Sequence, residues 1–249
     1  MAKQNIFDNE VFFDGYKSIR DNKVNANVLF EIPALMSLLP DLKDKSILDL
    51  GCGYGEHCKM FIDNGAKEVT GIDISEKMLD VARRENSASS IEYINMPMED
   101  IGCFIGKKKY DLVISSLAFH YVEDFSGVVE KVYKLLNDDG IFVFSQEHPL
   151  NSCHQGGDRW TRDENGQKLY LNLANYGVEC ERESVWFVDN VKKYHRTFST
   201  IINTLVEKGF LIEKVIEPFP TEQILKEYPK YKDLFHKPDF MLVRVRKRH

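Results

Sequence analysis

The chain has 249 residues, 43% of them hydrophobic, which suffices for one packed domain with an elaboration but not for two ordinary domains. A formal net charge of −6 argues against grip on a nucleic-acid backbone, and the locally basic stretches, Lys107–Lys109 and Arg244–His249, read as a solvated loop and a solvated strand end. There is no run of about 18 apolar residues to span a bilayer, no apolar leader core in Met1–Asn5, no C-x-x-C pair among Cys52, Cys58, Cys103, Cys153 and Cys180, and no zinc spacing, so a soluble, cytoplasmic, reduced and metal-free protein is expected.

Residues 1–45 read as an amphipathic helical cap, because Val28, Leu29, Phe30, Ile32, Leu35, Leu38 and Leu39 recur at helical spacing before Pro40. Within it Tyr16 and Arg20 lie one helical turn apart and share a face. Strands are predicted over Ser46–Leu50, Glu68–Ile72, Ile91–Asn95, Leu112–Ser115 and Ile141–Ser145, with helical patterns between them. That alternation implies parallel strands joined by right-handed crossovers, with residues 46–148 as the core. The helix over Val128–Leu136 is expected to stop at the polar Asn137–Gly140. After His148-Pro149 the pattern lapses. Residues 149–195, with Gly156-Gly157 and Asn165-Gly166 as turn signals, read as an insertion that walls a substrate pocket like a lid. Residues 196–249 return to order with a helix over Phe198–Lys208 stopped by Gly209, then strands over Phe210–Ile216 and Phe240–Val245.

The most telling stretch is Leu48-Asp49-Leu50-Gly51-Cys52-Gly53-Tyr54-Gly55. A buried strand running into closely spaced glycines and then a helix is a nucleotide-binding turn, since glycine lets a ligand approach backbone N–H groups. The spacing is G-x-G-x-G. Where a dinucleotide fingerprint carries its third glycine this chain has Glu56, whose carboxylate in the first helical turn opposes a pyrophosphate. The stretch resembles motif I of the class I S-adenosylmethionine-dependent methyltransferases. Glu68–Asp73, Ser75–Ala82 and Tyr110–Val122 resemble that family's next elements in the family's order.

The resemblance implies an α/β, Rossmann-like sheet of seven strands whose last two form a hairpin with one antiparallel strand. It implies S-adenosylmethionine as cofactor, with S-adenosylhomocysteine as product. On that reading the backbone of Gly51, Cys52, Gly53 and Gly55 meets the methionine part of the cofactor, and the Asp73 carboxylate accepts from both ribose hydroxyls. Ile74 stacks on the adenine, Met78 opens the following helix, and Met98 and Glu99 stand where the adenine amino group is met. The family's usual acid there is replaced by Pro97. Ser115 and Leu117 line the gap between adenosine and methyl group, and Tyr16 and Arg20 either close over the methionine part or are a packed tyrosine and a surface arginine.

Methyl transfer to a hydroxyl or thiol needs a nucleophile held in line and a base for its proton. His148, beside Glu147, stands first as base or anchor, His195 beside Arg196 second, and His120 as a pocket wall. Trp160, Tyr176 and Trp186 either face a planar substrate or form the insertion's own core. The expectation is a methyltransferase for a small-molecule acceptor, working as a monomer or homodimer without nucleic acid or membrane. The alternatives are a non-catalytic binder of the cofactor or its product and, disfavoured by Glu56, a nicotinamide-dependent oxidoreductase.

Overall fold

The computed structural model describes residues 4–22 and 24–248; Met1–Lys3 of the leader reading and His249 of the basic tail lie outside the described residues. Among the described residues eleven strands form: β1 Ser46–Leu50, β2 Glu68–Asp73, β3 Ile91–Asn95, β4 Tyr110–Ser115, β5 Leu136–Glu147, β6 Trp160–Arg162, β7 Lys168–Leu171, β8 Cys180–Trp186, β9 Val188–His195, β10 Phe210–Ile216 and β11 Phe240–Lys247. The helices are α1 Glu10–Asp21, α2 Ile32–Ser37, α3 Glu56–Asp63, α4 Glu76–Glu85, α5 Phe125–Leu135, α6 Pro149–Ser152, α7 Phe198–Glu207 and α8 Glu222–Glu227.

Seven strands make the central sheet in the order β10-β11-β5-β4-β1-β2-β3, in which β11 alone runs against its neighbours. This is the seven-stranded sheet, closing in an antiparallel hairpin, that the resemblance to the class I methyltransferases implies. β1 lies in the interior of the sheet, and each of its five residues is buried. A parallel strand covered on both faces is mostly apolar, as Ile47, Leu48 and Leu50 are here, and the one acid among them, Asp49, is buried with them.

Successive side chains of each strand feed opposite cores. On one face Val113, Phe142 and Phe144 pack with Val128 and Val132 of α5 and Ile201 and Leu205 of α7. On the other, Leu112, Ile114 and Val143 pack with Leu35 of α2 and Phe61 of α3. The helix starts are capped by side chains: Ser75 Oγ accepts from Met78 N (3.1 Å), Asp124 Oδ1 from Gly127 N (2.8 Å) and Thr197 Oγ1 from Thr200 N (3.2 Å).

Three elements differ from the sequence reading. The polar Asn137–Gly140 is not a turn outside the sheet but the irregular first part of β5, where Leu136 already pairs with Tyr110 and Asp139 has φ 59°. Within residues 149–195, where the sequence pattern lapses, β6–β7 and β8–β9 form antiparallel hairpins, the second closing through Phe187 alone, at φ 60°. The helical cap contains a π-helical segment, Asn27–Glu31, running directly into α2.

Phe144 has 0% exposure and stacks on Phe142 at 5.0 Å between ring centres. Phe144→Ala is expected to cost about 3–5 kcal/mol, read as a lower urea midpoint with an unchanged denaturant slope.

Candidate functional site

The carboxyl ends of β1, β2, β4 and β5 open into a cavity of about 630 Å³. That volume is typical of a small-molecule or cofactor site, and its position is where open α/β sheets bind ligands. The turn after β1 forms its floor. Gly51 N and Cys52 N donate to Ile72 O (2.8 and 2.9 Å), and Gly53 N donates to Asp73 Oδ2 (2.9 Å).

The glycines of this turn are needed for different reasons. A Cβ on Gly51 would stand 2.7 Å from Ala118 Cβ, so a side chain there collides with the turn after β4. Gly53 has φ +53°, and a Cβ would find nothing within 4 Å, so its backbone borders open space in the cavity. Gly55 faces away: a Cβ there would overlap the Tyr93 hydroxyl. It lets α3 approach β3 and does not line the cavity, contrary to the sequence reading.

Asp73 ends β2 with a 9% exposed side chain, and its second oxygen, Oδ1, accepts from Ser75 N at 2.9 Å. Burial raises its acid to about 6 despite these bonds. An ionised carboxylate has about four lone-pair positions, so its bonds to backbone N–H groups do not exhaust it.

Ile74, Met78, Met98, Glu99 and Leu117 all line the cavity with Asp73. Leu117 has φ 52°, a costly conformation for its side chain, and is held there by donation to Ser145 O (3.1 Å) and Ser145 Oγ (3.0 Å). Ser115 does not reach the cavity; its hydroxyl is buried and donates to Leu50 O at 2.7 Å.

The N-terminal segment closes one side. Asp8 Oδ1 accepts from Ser75 Oγ (2.5 Å) and Lys77 N (3.2 Å), and Asn5 Nδ2 donates to Ile74 O (3.1 Å), which ties it over the β2 tip. Tyr16 and Arg20 both line the cavity, and Arg20 pairs with Glu56 at the start of α3. That pairing places Glu56 beside a cation and at the helix end that favours an anion. Trp186, at the tip of the β8–β9 hairpin, meets Tyr16 edge-on at 6.1 Å and Phe12 at 5.2 Å. Of Trp160, Tyr176 and Trp186 it is Trp186 that lines the cavity, together with Tyr194 of β9; Trp160 packs on His236 and Lys168, and Tyr176 accepts from Phe198 N.

The histidine ranking is reversed by the geometry. His148 caps α6, its Nδ1 accepting from Leu150 N (3.1 Å) while Nε2 bonds Glu217 (2.8 Å). His195 binds Ser152 Oγ through Nδ1 (2.9 Å) and Tyr176 O through Nε2 (2.8 Å). Both have their ring nitrogens engaged away from the cavity. His120 is the one that lines it, and burial lowers its acid to about 4, so it is neutral at pH 7. Because its Nδ1 accepts from Glu147 N (3.4 Å), its proton sits on Nε2 and it presents a donor rather than a base.

Sequence reasoning missed Glu31, which is 1% exposed and on the cavity wall. The signal was an acid interrupting the apolar run from Val28 to Leu39. Among the described residues no group of three or more His, Cys, Asp or Glu gathers to hold a metal ion, and no helix is long and apolar enough to cross a membrane.

Residues 48–144 match the methyltransferase domain family. A crystal structure of an S-adenosylmethionine-dependent methyltransferase from Mesorhizobium loti superposes with TM-score 0.79 at 35% identity, covering 90% of this chain and 99% of that one. A Listeria monocytogenes protein for which the same class of activity has been put forward superposes with TM-score 0.81 at 41% identity, covering 88% and 97%. A Haemophilus influenzae protein of unassigned function is 36% identical over 98% of both chains.

His148→Ala is expected to destabilise the fold by about 1 kcal/mol, as loss of a helix cap does, in thermal unfolding, while leaving affinity for a ligand in the cavity unchanged. A histidine acting on that ligand would show the opposite pattern.

Proposed function

The chain belongs to the class I S-adenosylmethionine-dependent methyltransferases, and from that premise we infer that it transfers the methyl group to a small-molecule acceptor held in the cavity above the sheet. When bound, S-adenosylmethionine supplies a methyl group made electrophilic by its sulfonium. The protein's part is to bind, orient and exclude water, which for an in-line displacement supplies much of the acceleration.

The observation that carries this reading is the Asp73 carboxylate at the tip of β2 on the cavity wall, fixed there by backbone N–H groups of both turns. Its remaining acceptor capacity takes the ribose hydroxyls. Gly51, Cys52 and Gly53 border the methionine part, Ile74 and Met98 flank the adenine, and Glu99 lies beside it without the usual acid at Pro97. Tyr16 and Arg20 on α1 close the methionine end, and the β8–β9 hairpin acts as the lid over the acceptor. His120 donates from Nε2 into the acceptor space. Gly55 and Ser115 support this arrangement from outside the cavity.

Calorimetric titration of S-adenosylhomocysteine tests the assignment. Asp73→Ala is expected to weaken binding by about tenfold or more, about 1.4 kcal/mol. In the wild type the affinity is expected to hold above pH 6 and to fall below it, because the free protein's Asp73, with its acid raised to about 6, must lose a proton before it can accept from both hydroxyls. Unchanged affinity in Asp73→Ala would refute the ribose role, and no binding by a folded wild type would refute the cofactor site.

A further inference from the structure

The acceptor end of the cavity carries its own chemistry, which deepens the methyltransferase reading and rests on it. Its wall holds more carboxylates than cations, and the cations are engaged. Arg20 pairs with Glu56, Lys192 Nζ with Glu181 at 2.9 Å, and Lys193, just behind the wall, with Glu147 at 2.6 Å. An anionic acceptor therefore meets no uncommitted cation among the described residues of this wall.

Glu31 is arranged differently. It ends the π-helical segment, a distortion that recurs at functional sites. Ser116 Oγ donates to its Oε1 at 2.9 Å, and Ser145 Oγ donates to the same oxygen. Ser145 is itself fixed by the bond it accepts from Leu117 N, so the carboxylate is pinned to the ends of β4 and β5. Oε2 receives no bond from any described residue, and no described cation forms an ion pair with Glu31. A carboxylate this buried, bonded on one oxygen only, stands on the cavity wall with Tyr16, Tyr121 and Trp186. These rings already suit a cation: Lys193 Nζ lies 5.3 Å from the Trp186 ring centre and 6.0 Å from that of Tyr121.

We propose that the methyl acceptor is an amine, held as its ammonium by Oε2 of Glu31 within this aromatic wall. Before transfer the ammonium gives one proton to Oε2, leaving a neutral amine with a free lone pair and a protonated Glu31. Oε1 stays an acceptor for both serine hydroxyls in either state. Burial already holds the Glu31 acid above the usual carboxylate range, which suits a group that takes a proton at this point. A carboxylate acceptor, in contrast, would face Glu31 with the nearby cation, Arg20, already paired with Glu56.

The test uses benzylamine, benzyl alcohol and benzoate as probes of one size and three charges, titrated by NMR into protein first saturated with S-adenosylhomocysteine. Benzylamine is expected to bind at least about tenfold more tightly than either other probe, and Glu31→Gln, which keeps an oxygen for the serines, is expected to abolish that preference. Benzyl alcohol or benzoate binding as well as benzylamine, no probe binding at all, or a preference that survives in Glu31→Gln each overturn the proposal. If Glu31→Gln does not fold, the wild-type ranking alone decides. Failure of the product itself to saturate the protein would instead refute the cofactor reading, so the two failures are distinguishable.

Discussion

A buried carboxylate bound by backbone N–H groups from two strands' turns holds this site together. Asp73 Oδ2 takes the N–H of Gly53 and Oδ1 that of Ser75, while Gly51 and Cys52 donate to Ile72 just before it. The β1 turn and the β2 tip thus form one rigid body, and α3 and α4 start from its two sides. Burying a charge is costly unless it is well bonded, so the conformation of the glycine turn and the ionisation of Asp73 depend on each other. Ser75 carries the constraint outward, because its hydroxyl also binds Asp8 and so sets the N-terminal segment over the cavity.

That segment and the insertion complete the enclosure by packing on each other. Phe187 lies where a Cβ on Gly15 would be, which only glycine in α1 permits. Gln4 donates to Asn190 O and accepts from Lys192 N, both at 2.9 Å, joining the chain's beginning to β9. Neither piece has a large core of its own, yet together they place Tyr16 and Trp186 edge to face over the sheet. Enclosure strengthens every charge interaction within, which makes the positions of Asp73 and Glu31 matter more than the protein's net charge.

Much of the sheet was legible in the sequence because a parallel strand buried on both faces must be written as a short apolar run. Ser46–Leu50 was bounded to the residue for that reason, whereas Ile91–Asn95 and Phe210–Ile216, also bounded to the residue, are half-exposed edge strands, and the second pairs antiparallel. The insertion was not legible. β8 carries consecutive charges at Glu181, Arg182 and Glu183 and its hairpin turns on Phe187 with no turn residue to mark it, although Asn165-Gly166 does mark the β6–β7 turn. The acceptor side was harder still. Histidines near strand ends attract attention by residue type, but whether a ring faces a cavity or caps a helix depends on neighbours remote in sequence, such as Glu217 for His148. Glu31 was overlooked because its partners, Ser116 and Ser145, come from strands on the far side of the chain's first crossover units.

The most direct test of the account is a crystal structure of the protein with S-adenosylhomocysteine. Both ribose hydroxyls are expected on the Asp73 carboxylate, the homocysteine chain along Gly51–Gly53 and its sulfur facing the space between Glu31 and Trp186. A ligand bound elsewhere, or with its ribose turned away from Asp73, would contradict it.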